Sequence, residues 1–300
     1  MLWYESFDKL RLQRMLVRSD EPMSRHTTFR IGGPARRMAF PETGSELAAL
    51  LDLAEREGYP YTVIGNGSNL LVQDGGLDRL VVNTSRMDTV TVVGTVVHAL
   101  AGATLARVAN AAQRAGLTGL EFAHGIPGTL GGGVFMNAGA YGGELCQVVQ
   151  TVRAWFPGEG IVTLGNKDCS FGYRHSVFLE KPGVVLFAEL ALATGDAAAI
   201  KAKMEELAAK RRKGQPLEFP SAGSTFKRPE GYYAGTLIDQ CGLKGTKVGG
   251  SKVSEKHAGF IVNAGGATCT DVLRLIAKVQ AAVREKTGVE LEPEVRILRD

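Results

Sequence analysis

Apolar and polar positions along this 300-residue chain follow two periods, which separate predicted helices from predicted strands. Leucines and alanines at helical spacing predict a helix over 45–58, with Ser45 as its N-cap and Gly58 at its end. The helical period also occurs in four later segments: 104–116, 196–214, 232–241 and 270–288. β-branched, alternating residues predict strands in the segments 36–43, 61–72, 77–83, 89–102, 183–194, 258–263 and 289–298, and a hairpin over 151–165. The mixture predicts an α+β protein with its main boundary near 196–214, preceded by an N-terminal helix or extension over 1–20.

Composition and charge exclude several classes of protein. The net charge of +4 is mild, and its one basic run, 210–213, ends a predicted helix, which argues against nucleic-acid binding. No apolar run is long enough for a membrane span, and the charged N-terminus does not resemble a signal peptide. Four scattered cysteines and five scattered histidines give neither a disulfide framework nor metal-ligand spacing. We therefore expect a cytoplasmic protein without a metal, inserted into no membrane.

Two glycine-rich segments carry the candidate binding chemistry. "GNGSNL" (65–70) lies between two predicted strands and lacks the third glycine of a dinucleotide fingerprint, so it does not predict a Rossmann turn. Successive backbone N–H groups in such a loop can still bind phosphate. "GIPGTLGGGVFMNAGAYGG" (125–143) has no charged residue and places apolar side chains among its glycines, which suits a flat aromatic ring. The residues alone leave two interpretations open: a dinucleotide site, or tight turns in a crowded β-domain.

Longer blocks carry a resemblance to a known family. "HTTFRIGGPARRM" (26–38), "VIGNGSNLLV" (63–72) and "GLEFAHGIPGTLGGGVFMNAGAYGGEL" (119–145) resemble the FAD-binding domain of the vanillyl-alcohol-oxidase (PCMH) type. More narrowly, they resemble the UDP-N-acetylenolpyruvoylglucosamine reductases of peptidoglycan (cell wall) precursor synthesis. The match continues through the blocks "FGYRHSVF" (171–178), "SAGSTFKRPEGYYAG" (221–235), "VGGSKVSEKHAGFIVNAG" (248–265) and "LEPEVRIL" (291–298).

The resemblance implies a fold and a domain order. It implies an α+β flavoenzyme with an FAD-binding domain in two lobes over 21–196 after the extension 1–20. A C-terminal α+β substrate-binding domain over 197–300 would follow, with its last strand, 289–298, returning to the flavin. The chain has no room for the insertion whose tyrosine covers the substrate in the longer form of the family, so it resembles the shorter type II form. In that case the basic run 210–213 or the loop 214–220 is a candidate cover.

The family reaction implied by the resemblance has two halves. NADPH reduces noncovalently bound FAD and NADP leaves; UDP-N-acetylglucosamine enolpyruvate then binds, takes hydride from the flavin, and is protonated to UDP-N-acetylmuramate. Arg174 would hold the substrate carboxylate through a guanidinium fork, Glu294 would lie at the same carboxylate, and Ser224 would donate the proton. Taken without the resemblance, each has an ordinary role: an interface arginine, a strand-edge carboxylate paired with Arg296, and a turn-capping serine.

The resemblance also implies cofactor and substrate contacts. Lys227 and His257 are expected to bind substrate. His124 is the position to consider for a covalent flavin bond, but this family holds FAD noncovalently. The residues expected to bind FAD come from the two glycine-rich segments: Gly65, Asn66, Gly67, Ser68, Asn69, Leu70, Gly125, Ile126, Pro127, Gly128, Thr129, Gly132, Asn137, Ala138, Gly139 and Tyr141.

Other functions fit the sequence less well. An FAD oxidase of the same fold acting on another small substrate is the main alternative, and a non-enzymatic FAD-binding protein is a third. Ser224-Thr225-Phe226-Lys227 also matches the Ser-x-x-Lys motif of β-lactamases, but the Ser-Asp-Asn motif of that class is absent from the sequence, and an acyl-transfer function would leave the glycine-rich segments unexplained. The expected partner is a small sugar nucleotide, with the protein acting as a monomer.

Overall fold

The computed structural model describes residues 2–8 and 15–300, which form two compact units. Unit 1 contains residues 2–8, 15–19, Arg37–Asn66 and Arg79–Lys210. Unit 2 contains Asp20–Arg36, Gly67–Asp78 and Arg211–Asp300. The units therefore do not follow sequence order, because 20–36 and 67–78 group with the C-terminal residues and not with the segments around them. Residues 1 and 9–14 of the predicted N-terminal extension lie outside the described residues.

The helices predicted from periodicity are present, and a further short helix at Leu130–Phe135 lies in the glycine-rich segment, where no helix was predicted. They are α1 (Trp3–Asp8), α2 (Gly44–Glu57), α3 (Leu105–Arg114), α4 (Leu130–Phe135), α5 (Ala197–Gly214), α6 (Ala234–Gln240) and α7 (Cys269–Thr287). Short 3-10 helices occur at Met23–Arg25, Thr84–Arg86, Glu121–Ala123, Leu145–Gln147, Lys167–Cys169 and Val177–Leu179. Among the described residues, no helix combines the length and the apolar character needed to cross a bilayer.

The strands are short, and several contain only two or three residues. They are β1 (Leu16–Pro22), β2 (Pro34–Phe40), β3 (Tyr61–Ile64), β4 (Leu70–Val72), β5 (Leu77–Asn83), β6 (Val90–Val93), β7 (Val96–Leu100), β8 (Leu117–Thr118), β9 (Gly139–Ala140), β10 (Gly143–Glu144), β11 (Val149–Phe156), β12 (Gly160–Gly165), β13 (Val184–Ala191), β14 (Ala193–Thr194), β15 (Lys247–Val248), β16 (Ser251–Val253), β17 (Ile261–Asn263) and β18 (Arg296–Leu298). A four-stranded sheet has the order β1-β2-β5-β3, with β3 and β5 parallel.

Unit 1 is built on a five-stranded sheet of order β12-β11-β13-β7-β6, in which every pair is antiparallel. The predicted hairpin over 151–165 is confirmed as β11 and β12, with Phe156 opposite Gly160. Helices α2 and α3 bury their apolar faces in one core that also contains the fully buried Trp155. The indole nitrogen of Trp155 donates to Asp52 Oδ1 at 2.7 Å, so the one polar atom of this large side chain is paired.

Unit 2 has its own core, and the two segments from the first part of the chain contribute to it. Phe29, Ile31 and Leu71 pack with the apolar face of α7. The last strand, β18, pairs in parallel with β4, placing Arg296 opposite Leu70. Strands β15, β16 and β17 form a three-stranded antiparallel sheet beside this core.

Two local predictions were wrong in detail. Helix α2 begins at Gly44, and its N-cap is Thr43, whose side chain accepts from the Glu46 amide at 3.1 Å; Ser45 already lies inside the helix. The strand predicted over 289–298 is regular only over β18. Before it, the chain makes single contacts with a neighbouring segment, such as the bridge of Pro293 to Phe226, and proline has no N–H with which to continue a ladder.

Candidate functional site

In unit 1 the two glycine-rich segments meet. The side-chain amide of Asn66 donates to the carbonyl of Pro127 at 2.6 Å. A Cβ placed on Gly65 would lie 2.1 Å from Thr129 Oγ1, so this approach is possible only for glycine. The backbone of 65–66 and that of 127–129 therefore form one surface.

Two polar atoms beside this surface lack partners within the described part of the chain. Thr129 Oγ1 and His124 Nδ1 are both buried and make no hydrogen bond with any described residue. A buried polar group without a partner costs free energy comparable to a lost hydrogen bond, so such groups indicate a missing ligand or water. The unpaired hydroxyl, the close glycine contact and the absence of charged side chains fit the binding of a flavin nucleotide here.

The rest of the 125–143 segment serves packing as much as binding. A Cβ on Gly131 would lie 2.9 Å from that of Ala101, and one on Gly133 would lie 2.8 Å from Leu145 Cδ1, so α4 packs closely on its neighbours only because these residues are glycines. Gly132 is exposed, with Thr129 Oγ1 as its nearest atom at 3.7 Å. Of the other residues predicted in this segment, Ile126 and Ala138 pack against the core of unit 1. Gly125 and Gly128 are half-buried, Gly139 lies in β9, and Tyr141 is exposed.

Arg174 occupies a tight turn that is held against the same segment. Gly172 and His175 exchange backbone hydrogen bonds of 3.1 and 3.2 Å, and Arg174 between them has φ +53°. Its guanidinium lies 5.4 Å from the ring of Tyr173, and Nη2 donates to Gly139 O at 3.5 Å. A non-glycine residue with left-handed backbone is uncommon and often marks a functional position.

In unit 2, Ser224 and Glu294 lie on adjacent backbone segments, joined by Thr225. Thr225 is 4% exposed, and its carbonyl accepts from the Glu294 amide at 2.8 Å. Its own amide donates to Gly259 O at 2.8 Å, and its hydroxyl accepts from Ile261 N at 2.9 Å. These bonds fix the backbone directly after Ser224. The sequence analysis did not single out Thr225, although a small β-branched polar residue directly after the candidate serine was the available signal.

Asn69 extends the same arrangement. Its side-chain amide donates to Glu294 O at 3.1 Å, and its carbonyl accepts from the Arg296 amide at 2.9 Å. Gly67 has φ +60° and packs on the carbonyl of His26, while Ser68 is half-buried and Leu70 begins β4. The second half of the 65–70 loop is thus joined to the segment that carries Glu294.

The two predicted substrate residues of unit 2 differ in their surroundings. Lys227 forms an ion pair with the exposed Glu292. His257 is half-buried in an edge-on contact with Phe260, and its Nδ1 accepts from Gly259 N at 3.1 Å, which leaves the proton of the neutral ring on Nε2. Burial lowers the pKa of His257, and the nearby charge of Lys244 acts in the same direction. The ring is therefore a neutral donor through Nε2.

Comparisons with known proteins identify the relatives of this chain. A family model described as an FAD binding domain matches residues 35–165, and one described as the UDP-N-acetylenolpyruvoylglucosamine reductase C-terminal domain matches 215–298. The chain is 52% identical over 279 residues to the UDP-N-acetylenolpyruvoylglucosamine reductase of Caldanaerobacter subterraneus, covering 93% of this chain and 92% of that protein. It is 50% identical over 286 residues to that of Latilactobacillus sakei, covering 95% and 94%.

A solved structure is also similar over nearly the whole chain. The crystal structure of the reductase of this name (MurB) from Thermus caldophilus matches with a TM-score of 0.82 and 36% identity, covering 95% of this chain and 99% of that one. The predicted fold, an α+β protein with a vanillyl-alcohol-oxidase-type FAD-binding domain and a C-terminal α+β domain, is confirmed. The assignment of 21–196 and 197–300 to cofactor and substrate stays a prediction.

Proposed function

Because the chain belongs to the UDP-N-acetylenolpyruvoylglucosamine reductase family, we propose that Arg174, Ser224 and Glu294 carry the substrate half of that reaction. The protein is an FAD-containing, NADPH-dependent oxidoreductase that reduces the enolpyruvyl sugar nucleotide to UDP-N-acetylmuramate for peptidoglycan synthesis. Bound FAD supplies the hydride acceptor for NADPH and the hydride donor for the enolpyruvyl carbon. The steps below concern what the chain's own residues do.

In this proposal, FAD binds to the surface of unit 1 that residues 65–66 and 127–129 form. The hydroxyl of Thr129 and Nδ1 of His124, which have no partner within residues 2–8 and 15–300, are the side-chain atoms available to the cofactor. The other glycine-segment residues named from the sequence contribute backbone and apolar contacts, apart from Asn137, whose side chain is engaged within unit 1. Binding is noncovalent, as the family resemblance implies.

Substrate chemistry requires a cation, a proton donor and a carboxyl group. As hydride reaches the enolpyruvyl carbon, negative charge moves onto the substrate carboxylate, where the Arg174 guanidinium stabilises it. The hydroxyl of Ser224 gives its proton to the neighbouring carbon, and Glu294 lies at the same carboxylate, to which it donates a hydrogen bond when protonated. The observation that carries these roles is the Thr225 link, which holds the Ser224 and Glu294 segments next to each other in unit 2. His257 Nε2–H and Lys227 contact the bound substrate.

The compartment and the oligomeric state belong to the proposal too. All four cysteines are free thiols, as is usual in a reducing compartment, which supports a cytoplasmic location. We take the protein to act as a monomer on a small sugar nucleotide and not on nucleic acid, which its mild charge of +4 supports.

An anaerobic absorption experiment tests the function. The purified protein is expected to be yellow, to lose its visible absorption with NADPH, and to regain it with UDP-N-acetylglucosamine enolpyruvate. Reoxidation by oxygen alone, with no effect of the sugar nucleotide, would instead indicate the FAD oxidase. A flavin that NADPH does not reduce and that never turns over would indicate a non-enzymatic FAD-binding protein.

A further inference from the structure

Asn137 uses its side chain inside the protein. It is 1% exposed and has φ +42°. Its Nδ2 donates to Glu144 Oε2 and to the carbonyl of Gly172, both at 3.0 Å, and its Oδ1 accepts from the amide of Cys146 at 2.9 Å. Both amide protons and the amide oxygen are therefore engaged within unit 1.

The carbonyl of Gly172 belongs to the Arg174 turn, and the other end of that turn is held in the same way. Ser176 is fully buried, and its hydroxyl donates to Phe135 O at 2.6 Å. Two bonds, from Asn137 to Gly172 and from Ser176 to Phe135, thus fasten both ends of the turn to residues 135–137. The Arg174 guanidinium contacts the same segment two residues further on, where its Nη2 donates to Gly139 O at 3.5 Å.

Two features of the structure favour asparagine at position 137: its left-handed backbone and its hydrogen-bond partners. Asparagine tolerates left-handed backbone better than other side-chain-bearing residues, because its short polar side chain can bond locally. The carboxylate of Glu144 only accepts, so it fixes which end of the amide carries the donors, and the second N–H then points at Gly172. An aspartate would present an acceptor to two acceptors, and an alanine would remove one donor from the Glu144 carboxylate and one from the Gly172 carbonyl.

We propose that Asn137, together with Ser176, is a positioning residue that holds the Arg174 turn in the orientation in which its guanidinium meets the substrate carboxylate. The inference rests on the proposed role of Arg174. It assigns Asn137 a role other than direct contact with FAD. In this role, segment 135–139 holds the Arg174 turn in place for the reduction of the substrate.

The test uses Asn137→Gly in the full-length holoenzyme, because glycine keeps the left-handed backbone without strain and removes only the amide. The matched control is Ser170→Gly, at an exposed position with φ +46° whose hydrogen bonds are made by the backbone: its amide donates to Lys167 O and its carbonyl bonds His175 Nδ1. Hydrogen exchange of the amides at 172–176 is followed together with the two half-reactions by rapid mixing. Asn137→Gly should speed exchange at 172–176, whereas Ser170→Gly should leave the half-reactions unchanged.

The half-reactions carry the functional prediction. Asn137→Gly should leave FAD content and reduction by NADPH within about 2-fold and slow reoxidation by the enolpyruvyl substrate roughly 10–100-fold, since small misplacements of a catalytic group cost about that much. In an Arg174→Ala background the same change should have almost no further effect, because the two residues act as one unit. The inference would be overturned if Asn137→Gly slowed reoxidation by the same factor with and without the Arg174 side chain. Unchanged hydrogen exchange at 172–176 would overturn it as well.

The two proposals fail differently. If Arg174→Ala leaves reoxidation intact, the role of Arg174 is wrong, while the exchange data still decide whether Asn137 holds the turn. If Asn137→Gly does not yield folded holoprotein, Ser176→Ala probes the other end of the turn with the same measurements. It should give faster exchange at 172–176 and a loss confined to reoxidation; no change in either would count against the anchoring.

Discussion

Asn69 and Glu294 are hydrogen-bonded neighbours although 225 residues separate them in the sequence. The Asn69 amide donates to the Glu294 carbonyl at 3.1 Å, and the next backbone bond, from Arg296 to the Asn69 carbonyl, is 2.9 Å long. A loop residue expected from its sequence to touch the cofactor thus also fixes the backbone of a candidate catalytic carboxyl group.

Replacing Asn69 by alanine should therefore affect stability as well as the site. The Glu294 carbonyl would lose its donor, and we expect the free energy of unfolding to fall by about 1–2 kcal/mol. Urea denaturation of the holoprotein measures this change. Asn263→Ala offers a comparison in the same unit, since its Nδ2 donates to Phe29 O and makes no bond to the Glu294 segment. Only the Asn69 variant should also slow reoxidation; an equal slowing in both would argue against a specific link.

Ser224→Ala should separate the two half-reactions. Reduction by NADPH needs no serine proton, so its rate should be unchanged, whereas reoxidation by the enolpyruvyl substrate should slow by about 10²–10⁴-fold. Rapid-mixing absorbance at the flavin band measures both rates. Ser221→Ala is the matched control, because the Ser221 hydroxyl only accepts a long bond of 3.4 Å from Gly223. Survival of both half-reactions in Ser224→Ala would mean that another group donates the proton.

Arg174→Lys should damage substrate reduction more than flavin reduction. Lysine keeps the charge but cannot offer the planar fork that matches a carboxylate, so reoxidation should lose at least roughly tenfold. Arg153→Lys, at an exposed position of β11, is the control and should behave as the wild type. An equal loss in both half-reactions would instead indicate that Arg174 serves FAD or NADPH binding.

Gly65→Ala should reduce the FAD content of the purified protein. The new methyl group would lie 2.1 Å from Thr129 Oγ1, so the buried Thr129 side chain must shift to accept it. The ratio of flavin to protein absorbance measures the loss, and Gly214→Ala, which meets no atom within 4 Å, should retain full occupancy. Normal FAD content in Gly65→Ala would exclude this surface as the cofactor site.

His257 should make stability depend on pH. Its pKa is lowered from 6.5 by burial, so protonating it costs more in the folded chain than in the unfolded chain. Its contribution to stability is therefore complete above 6.5 and is lost as the pH falls from 6.5 towards the folded value. His257→Gln, which can still accept from Gly259 N, should lose less free energy of unfolding than the wild type across that window. Parallel pH curves for the two proteins would contradict this.

Helices were predicted well from the sequence because the spacing of apolar residues within each segment is enough to indicate a helix. Helices α2, α3, α5 and α7 lie within about two residues of the periodic segments. The N-cap of α2 was misplaced because Thr43 and Ser45 are both good caps, and only the position of the Glu46 amide decides between them. The grouping of 20–36 and 67–78 with the C-terminal residues had no such signal, since the pairing of β4 with β18 joins distant parts of the chain.

The candidate site divides in the same way. The glycine segments, Ser224 and Glu294 were found from motifs that resemble a family. The hydrogen bonds by which Thr225 and Asn137 support these residues were not predicted, because no sequence spacing encodes them. Gly131 shows a second limit of sequence motifs. This position needs glycine because it packs against Ala101, and a glycine-rich motif does not distinguish a glycine needed for packing from one needed for binding.

The pairing of β4 with β18 also constrains how the chain matures during synthesis. Residues 70–72 leave the ribosome long before residues 296–298, and at about 5–20 residues per second the 225 residues between Asn69 and Glu294 take roughly 10–45 s to make. Throughout that interval the two-stranded sheet cannot form, and Leu71, which is fully buried in the finished protein, has no core to enter. Unit 2 therefore cannot be completed until residues 296–298 have been made, and until then the strand at 70–72 is an unpaired apolar segment of the kind that makes folding intermediates prone to aggregation.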